Sequence, residues 1–221
     1  MARESKASQM RRALEVARRM DGRYSEAESA LDFRDAFTLT IAVMLSAQTT
    51  DAAVNKVTPE LFARWPDPQT MAQADPNDIE KIIHSIGFFH VKARRCVECA
   101  QMLLADFGGE VPHTMAELTR LPGVGRKTAN IVLTSAFGIV EGIAVDTHVF
   151  RIAHRLRFSP KSSETPDKTE RDLLALYPRA MWGAVNYQWV LFGREVCTAA
   201  RPRCPECPVA DLCPSSTSGG A

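Results

Sequence analysis

The sequence predicts an all-α protein, and three observations carry that expectation. Apolar residues recur at helical spacing nearly throughout, no alternating pair of strand segments stands out, and the turns carry helix-start and helix-stop chemistry. The basic stretch at residues 1–20 has no apolar core, so it does not read as a secretory signal. Asp75-Pro76 reads as an N-cap followed by the first helical residue, with Ile79, Ile82, Ile83 and Ile86 as an apolar stripe and Gly87 as a stop. Residues 91–107 continue as a longer helix that Gly108-Gly109 ends. Thr114 caps a short helix ending near Arg120, and residues 126–137 form another that stops at Gly138. Thr165-Pro166 and Pro178 open further helical stretches. Residues 197–213 differ in kind: few aliphatics, many Pro, Arg and Cys, so something other than an apolar core must hold them. The small, polar residues 215–221 are expected to be a disordered tail.

At 221 residues, with 45% hydrophobic and 24% charged, the chain suits one large or two small globular domains. No apolar run approaches the ~18 residues of a membrane span. Cytoplasm is the expected location, or the nucleoid if the partner is DNA. A net charge of +1 and a pI of 7.6 fall short of the ~9 or more of a strongly basic nucleic-acid binder. Basic residues nevertheless cluster: Arg11, Arg12, Arg18 and Arg19; Lys92, Arg94 and Arg95; Arg151, Arg155 and Arg157; Arg201 and Arg203. Such clusters read first as solvated helix faces. One basic face on a near-neutral protein would still bind nucleic acid in a salt-sensitive way.

The most informative motif is Leu121-Pro122-Gly123-Val124-Gly125-Arg126-Lys127. A helix, a turn carrying Gly123 and Gly125, and a second helix from Arg126 make a helix-hairpin-helix pattern. Glycines bring bare backbone close to a ligand. The second helix points unpaired N–H groups and its positive dipole end the same way, which makes an anion site suited to a phosphate backbone. The bland reading is an ordinary tight turn between two helices. Lys127 lies where the helix dipole disfavours a cation. An amine must be neutral to attack carbon, and with a reference pKa of ~10.4 only about one lysine in 2,500 is neutral at pH 7. Burial and the helix end would enlarge that fraction. Read alone, Lys127 is a solvated surface lysine. Asp146, in Val145-Asp146-Thr147-His148, supplies a carboxylate able to take a proton or stabilise positive charge, but by itself it reads as an N-cap.

Cys197, Cys204, Cys207 and Cys213 follow C-x6-C-x2-C-x5-C. Four thiols in one short segment suggest a metal site before disulfides. Zinc more typically takes two separated C-x2-C pairs, whereas a cubane iron–sulfur cluster takes four thiolates from irregular loops. Iron–sulfur leads, with zinc or no ligand left open. Arg201 and Arg203 sit between the first two cysteines, where a ligated loop would present positive charge to a phosphate. Cys96 and Cys99 lie inside a helix and read as small core residues.

Residues 121–130 (LPGVGRKTAN), 145–149 (VDTHV) and the cysteine spacing together resemble bacterial endonuclease III, the helix-hairpin-helix DNA glycosylases that carry a [4Fe–4S] cluster. LSAQTTD at 45–51, IGFFHVK at 86–92 and GGEVP at 108–112 extend the match to roughly residues 24–214. The resemblance implies two helical domains flanking a DNA cleft. One is a six-helix barrel with the hairpin over 29–139; the other is an iron–sulfur domain joining 1–28 to 140–221. It implies a bifunctional DNA glycosylase and abasic-site lyase of base-excision repair, acting as a monomer on double-stranded DNA with an oxidised or ring-saturated pyrimidine or an abasic site. By motif position Lys127 matches the nucleophile, Asp146 the catalytic carboxylate and the four cysteines the cluster ligands. Gln48 matches the residue that fills the gap left by the flipped nucleotide. Phe88 stands where the family places an apolar wedge, commonly leucine; its bland reading is a helix-end core residue. Leu121, Gly123, Gly125, Arg126, Arg201 and Arg203 are the further expected DNA contacts, with Ser46, Asp51 and His148 near the pocket.

Two rivals compete. A monofunctional adenine glycosylase would lack the hairpin lysine and carry a glutamate in the early helix, but residues 41–47 contain no carboxylate. A non-catalytic iron–sulfur DNA binder would need neither Lys127 nor Asp146.

Overall fold

The computed structural model describes residues 4–217; residues 1–3 and 218–221 lie outside it, including the last four of the expected tail. Among the described residues every regular element is helical. The chain opens with α1 (Lys6–Tyr24). It continues through α2 (Ala36–Leu45), α3 (Asp51–Arg64), α4 (Pro68–Met71), α5 (Pro76–Ile83), α6 (Phe89–Phe107), α7 (Met115–Leu118) and α8 (Arg126–Phe137). It ends with α9 (Thr147–Arg155), α10 (Pro166–Leu174) and α11 (Trp182–Glu195), plus short 3-10 turns. No described helix is long and apolar enough to cross a membrane. Two compact units result: Ser29–Glu141, and Met1–Glu28 together with Gly142–Ala221.

In Ser29–Glu141 the centre is α2, nine of whose ten residues are buried. A helix apolar all round must be enclosed, and α3, α6 and α8 pack on it. Asp35 starts it with a capping box, its carboxylate accepting from the Thr38 N–H at 2.7 Å. The buried Thr40 hydroxyl donates to the Ala36 carbonyl at 2.7 Å, so no polar atom is stranded there. The expected starts at Asp75-Pro76 and Thr114 are found, as are the glycine stops of α6 and α8, where Gly108 and Gly138 have φ near +64° (63° and 65°). Gly87 is not the stop of α5. That helix ends at Ile83 with His84 as C-cap, and a further turn buries Ile86 before α6 begins. Cys96 and Cys99 are fully buried on α6; burial pushes the Cys99 thiol up to about 12, which leaves both inert core residues.

The other unit packs α1, α9, α10 and α11 around Met20, Val149, Ile152 and Trp189, with Phe158 and Tyr177 against the Trp189 ring. Residues 197–217 lack long helices, so their carbonyls need outside donors. Arginines supply them. Arg12 donates to the Leu212 carbonyl at 3.1 Å and Arg19 to that of Pro208 at 2.9 Å. Arg151 reaches the Cys197 carbonyl at 2.9 Å, and Arg155 those of Thr198 and Ala199 at 2.8 Å each. Four residues read as members of solvated basic clusters are therefore the pins of the cysteine segment. Residues 215–217, expected to fray, fold back on it: the Ser216 N–H donates to the Cys213 carbonyl at 3.0 Å, and Thr217 hydrogen-bonds Cys204.

Candidate functional site

The hairpin is formed by α7, the turn 119–125 and α8. Gly123 has φ +84°, and a Cβ there would lie 2.5 Å from Met44 Sδ, so only glycine lets the turn close on α2. Gly125, the N-cap of α8, has ordinary extended backbone (φ −93°, ψ 177°), and a Cβ there would meet nothing within the protein. The two glycines thus do different work. Gly123 seats the turn, while Gly125 leaves space in front of the α8 N–H groups, where an anion can approach. Gly123→Ala should lower stability by about 2–4 kcal/mol, from positive φ and overpacking together. Gly125→Ala should cost about 1 kcal/mol or less, the penalty of alanine at an N-cap, and weaken DNA binding. Thermal melts beside DNA titrations check both, and equal melting losses would refute the division.

Lys127 is the second residue of α8 and half-buried; Arg126 before it is exposed. Leu121 departs from its expectation as a DNA contact. Its side chain is only 2% exposed, so it is a core anchor of the turn and offers a ligand main chain alone.

Gln48 and Phe88 lie on two segments of Ser29–Glu141 that approach each other. Both are exposed and both adopt left-handed backbone, with φ 53° and 58°. A Cβ on Gly87 would lie 4.0 Å from the Gln48 carbonyl oxygen. Phe88, at 64% exposure, is not the buried helix-end residue of its bland reading. Neither residue is of a type that tolerates positive φ well, and such strain concentrates at functional positions. Ser46 caps the end of α2 and donates to the Val43 carbonyl at 2.8 Å, while Asp51 opens α3.

Asp146 lies in the other unit, as N-cap of α9. Its Oδ1 accepts from the N–H groups of His148 and Val149, both at 2.8 Å. The residues leading to it are fixed by two buried polar side chains that sequence reasoning missed. Glu170 accepts from the Ile143 N–H at 3.1 Å, and Asn186 donates to the Ala144 carbonyl at 2.7 Å. Nothing local in α10 or α11 signals either role. Arg151 Nη2 lies 3.1 Å from His148 Nδ1, and since a guanidinium only donates, this contact suits the neutral form of the imidazole. Burial holds the His148 pKa below its ordinary value against the pull of Asp146, which favours that neutral form. Gly193 makes the pair possible, because a Cβ there would fall 2.6 Å from His148 Nδ1 and 2.9 Å from Arg151 Nη2.

All four late cysteines line one cavity of about 440 Å³, its open mouth included, together with Arg155, Arg203 and Val209. None is in a disulfide. Burial first, and then repulsion from the other three thiols, pushes Cys207 up to about 11; burial raises Cys213, while Thr217 hydrogen bonds lower Cys204. Arg155 donates to Cys197 Sγ at 3.2 Å. Among the described residues no group of three or more His, Cys, Asp or Glu is set for a single metal ion. Arg201 and Arg203 are exposed on the loop between the first two cysteines, which the Thr198 hydroxyl braces by donating to the Arg201 carbonyl at 2.7 Å.

Residues 41–179 match the HhH-GPD superfamily base excision DNA repair protein family. Endonuclease III of Synechocystis is 45% identical over 210 residues, 95% of each chain. That of Escherichia coli K12 is 39% identical over 200 residues, 90% of this chain and 93% of the relative. A solved structure of a trapped endonuclease III–DNA covalent intermediate superposes with a TM-score of 0.89 at 39% identity, covering 98% of this chain and 99% of that one. A thermostable thymine-DNA glycosylase shares the fold at 23% identity, with a TM-score of 0.82. Similarity of this degree, over nearly its whole length, makes the chain a member of the HhH-GPD base excision repair superfamily and, within it, of the endonuclease III family.

Proposed function

We propose that Lys127 and Asp146 carry the chemistry of this chain, a base-excision DNA glycosylase and abasic-site lyase. The observation that carries the reading is a lysine in the first turn of α8, behind an N-terminus whose Gly125 leaves room for a DNA backbone. The damaged nucleotide must leave the stack before C1′ can be reached. Neutral Lys127 Nζ then attacks C1′; the C1′–N bond breaks, and the base departs with the electron pair and takes up the proton that the amine loses, passed on through Asp146. Asp146 accepts the proton released by the amine and stabilises positive charge at C1′. Opening of the sugar yields the Schiff base. Loss of a C2′ proton from the imine then expels the 3′ phosphate and cuts the strand by β-elimination. A relative of this fold has been trapped as a covalent intermediate with DNA, and a covalent intermediate requires a protein nucleophile. Gln48 and Phe88 enter the space vacated in the duplex, Phe88 as the wedge. The hairpin main chain at Gly123 and Gly125, with Arg126, Arg201 and Arg203, holds phosphates. Ser46 and Asp51 in one unit and His148 in the other are further candidates for contact with the flipped nucleotide.

Cys197, Cys204, Cys207 and Cys213 would hold a [4Fe–4S] cluster. The fit is chemical: four cysteines outside any disulfide line one cavity, a thiol set that a cationic iron–sulfur core would bind as thiolates. When bound, the cluster supplies thiolate bonds that cross-link residues 197–213 and stiffen the Arg201–Arg203 loop. Protein made with adequate iron should contain iron and absorb broadly in the visible, and Cys207→Ser should lose both; stoichiometric zinc instead would refute the cluster.

The substrate reading is tested on duplexes carrying oxidised pyrimidines, a uracil mismatch or an abasic site. Excision of the oxidised pyrimidines with 3′ cleavage is expected. Cleavage of the abasic site alone would reduce the protein to a lyase.

A further inference from the structure

Lys92 is the one lysine in the buried polar set of the described chain, at 5% exposure. Its ammonium makes a single hydrogen bond, donating to the Thr49 hydroxyl at 2.8 Å, and it faces no carboxylate. Burial lowers its pKa, with the neighbouring Cys96 acting the other way. A cation desolvated for one neutral hydroxyl is an unfavourable way to fill a core position, since an apolar side chain of like length would pack there without that penalty. Lys92 stands in the first turn of α6, where its N–H makes the ordinary helical bond to the Phe88 carbonyl at 3.0 Å. Its side chain therefore joins the neighbour of Gln48 to the turn that begins at Phe88. Gln48 and Phe88 are two of the three non-glycine residues with positive φ in the described chain.

We propose that Lys92 is a positioning residue that ties the loop at 46–50 to the start of α6, so that Gln48 and Phe88 are presented to the duplex as one rigid pair. The proposal rests on the reading above that these two side chains enter DNA. Rigidity matters because a loop strained at Gln48 relaxes once its anchor is lost, and a displacement of about 1 Å can cost up to a hundredfold in rate.

Lys92→Met in the full chain separates this role from packing. Its Tm should equal or exceed wild type, because the buried charge is gone. On an abasic site in a duplex, kcat/KM should fall about tenfold, and on the same site in a single strand, with no gap to fill, less than about twofold. Combined with Gln48→Ala, Lys92→Met should add nothing to the loss from Gln48→Ala alone. Thr49→Val should reproduce the Lys92→Met pattern and Thr49→Ser should restore it. Equal losses on both substrates, or independent multiplying losses in the double variant, would overturn the assignment. If Gln48→Ala and Phe88→Ala both keep full duplex activity, the insertion reading fails instead. The tie itself is then decided by hydrogen exchange at Ala47 and Thr49, whose amides close the loop onto Met44 and Ser46. Faster exchange in Lys92→Met supports it; unchanged exchange refutes it.

Discussion

Lys127→Ala should give no covalent adduct when incubated with abasic DNA and borohydride, where the wild type is trapped. Borohydride reduces an imine to a stable amine, so the adduct reports the Schiff base directly. Base excision should fall by on the order of a thousandfold or more, the scale of removing a nucleophile from residues that act as a unit. Loss of fold would not explain this outcome. Lys127 is the second residue of α8, where the dipole opposes a cation by about 0.3–1 kcal/mol and alanine has the better helix propensity, so Tm should hold. Lys127→Arg sharpens the test. It keeps the positive charge for a phosphate but cannot become a neutral nucleophile. If the lysine only held a phosphate, arginine would restore activity; the expectation is that it restores DNA binding and not trapping. Equal adduct in wild type and Lys127→Ala would remove the residue from the chemistry.

Asp146→Asn should fold, melt and bind DNA as the wild type does while excising base about 10²–10⁴-fold more slowly, measured in single turnover. Asp146 caps α9 through Oδ1 alone, with two N–H donors at 2.8 Å. Asparagine offers the same oxygen and is an equally good N-cap, so the substitution removes the charge and proton acceptor but retains the cap. Asp146→Ala removes both, and should add a stability loss of about 1 kcal/mol to the kinetic one. Unchanged excision by Asp146→Asn would return the residue to a capping role. Capping and catalysis are compatible here. The cap fixes the carboxylate's rotamer, and Glu170 and Asn186 fix the main chain before it.

The helical fold and most helix ends were legible in the sequence, as were the candidate residues for the chemistry. These depend on signals within a few positions of each other: a proline after Asp75, a glycine after Phe107 and Phe137, a lysine behind a glycine turn. Side-chain partners were not legible in the same way. Arg12 and Arg19 read as a solvated face, yet their acceptors lie 200 and 189 positions away, on the segment that follows the core. Leu121 looked like a surface contact and is core, and Lys92 looked like one of a basic cluster and is buried against Thr49. The fold settled these, because a polar atom's environment is set by whatever the folded chain brings to it. Periodicity and capping are written in neighbouring residues; desolvation and hydrogen-bond partners exist only once distant segments meet.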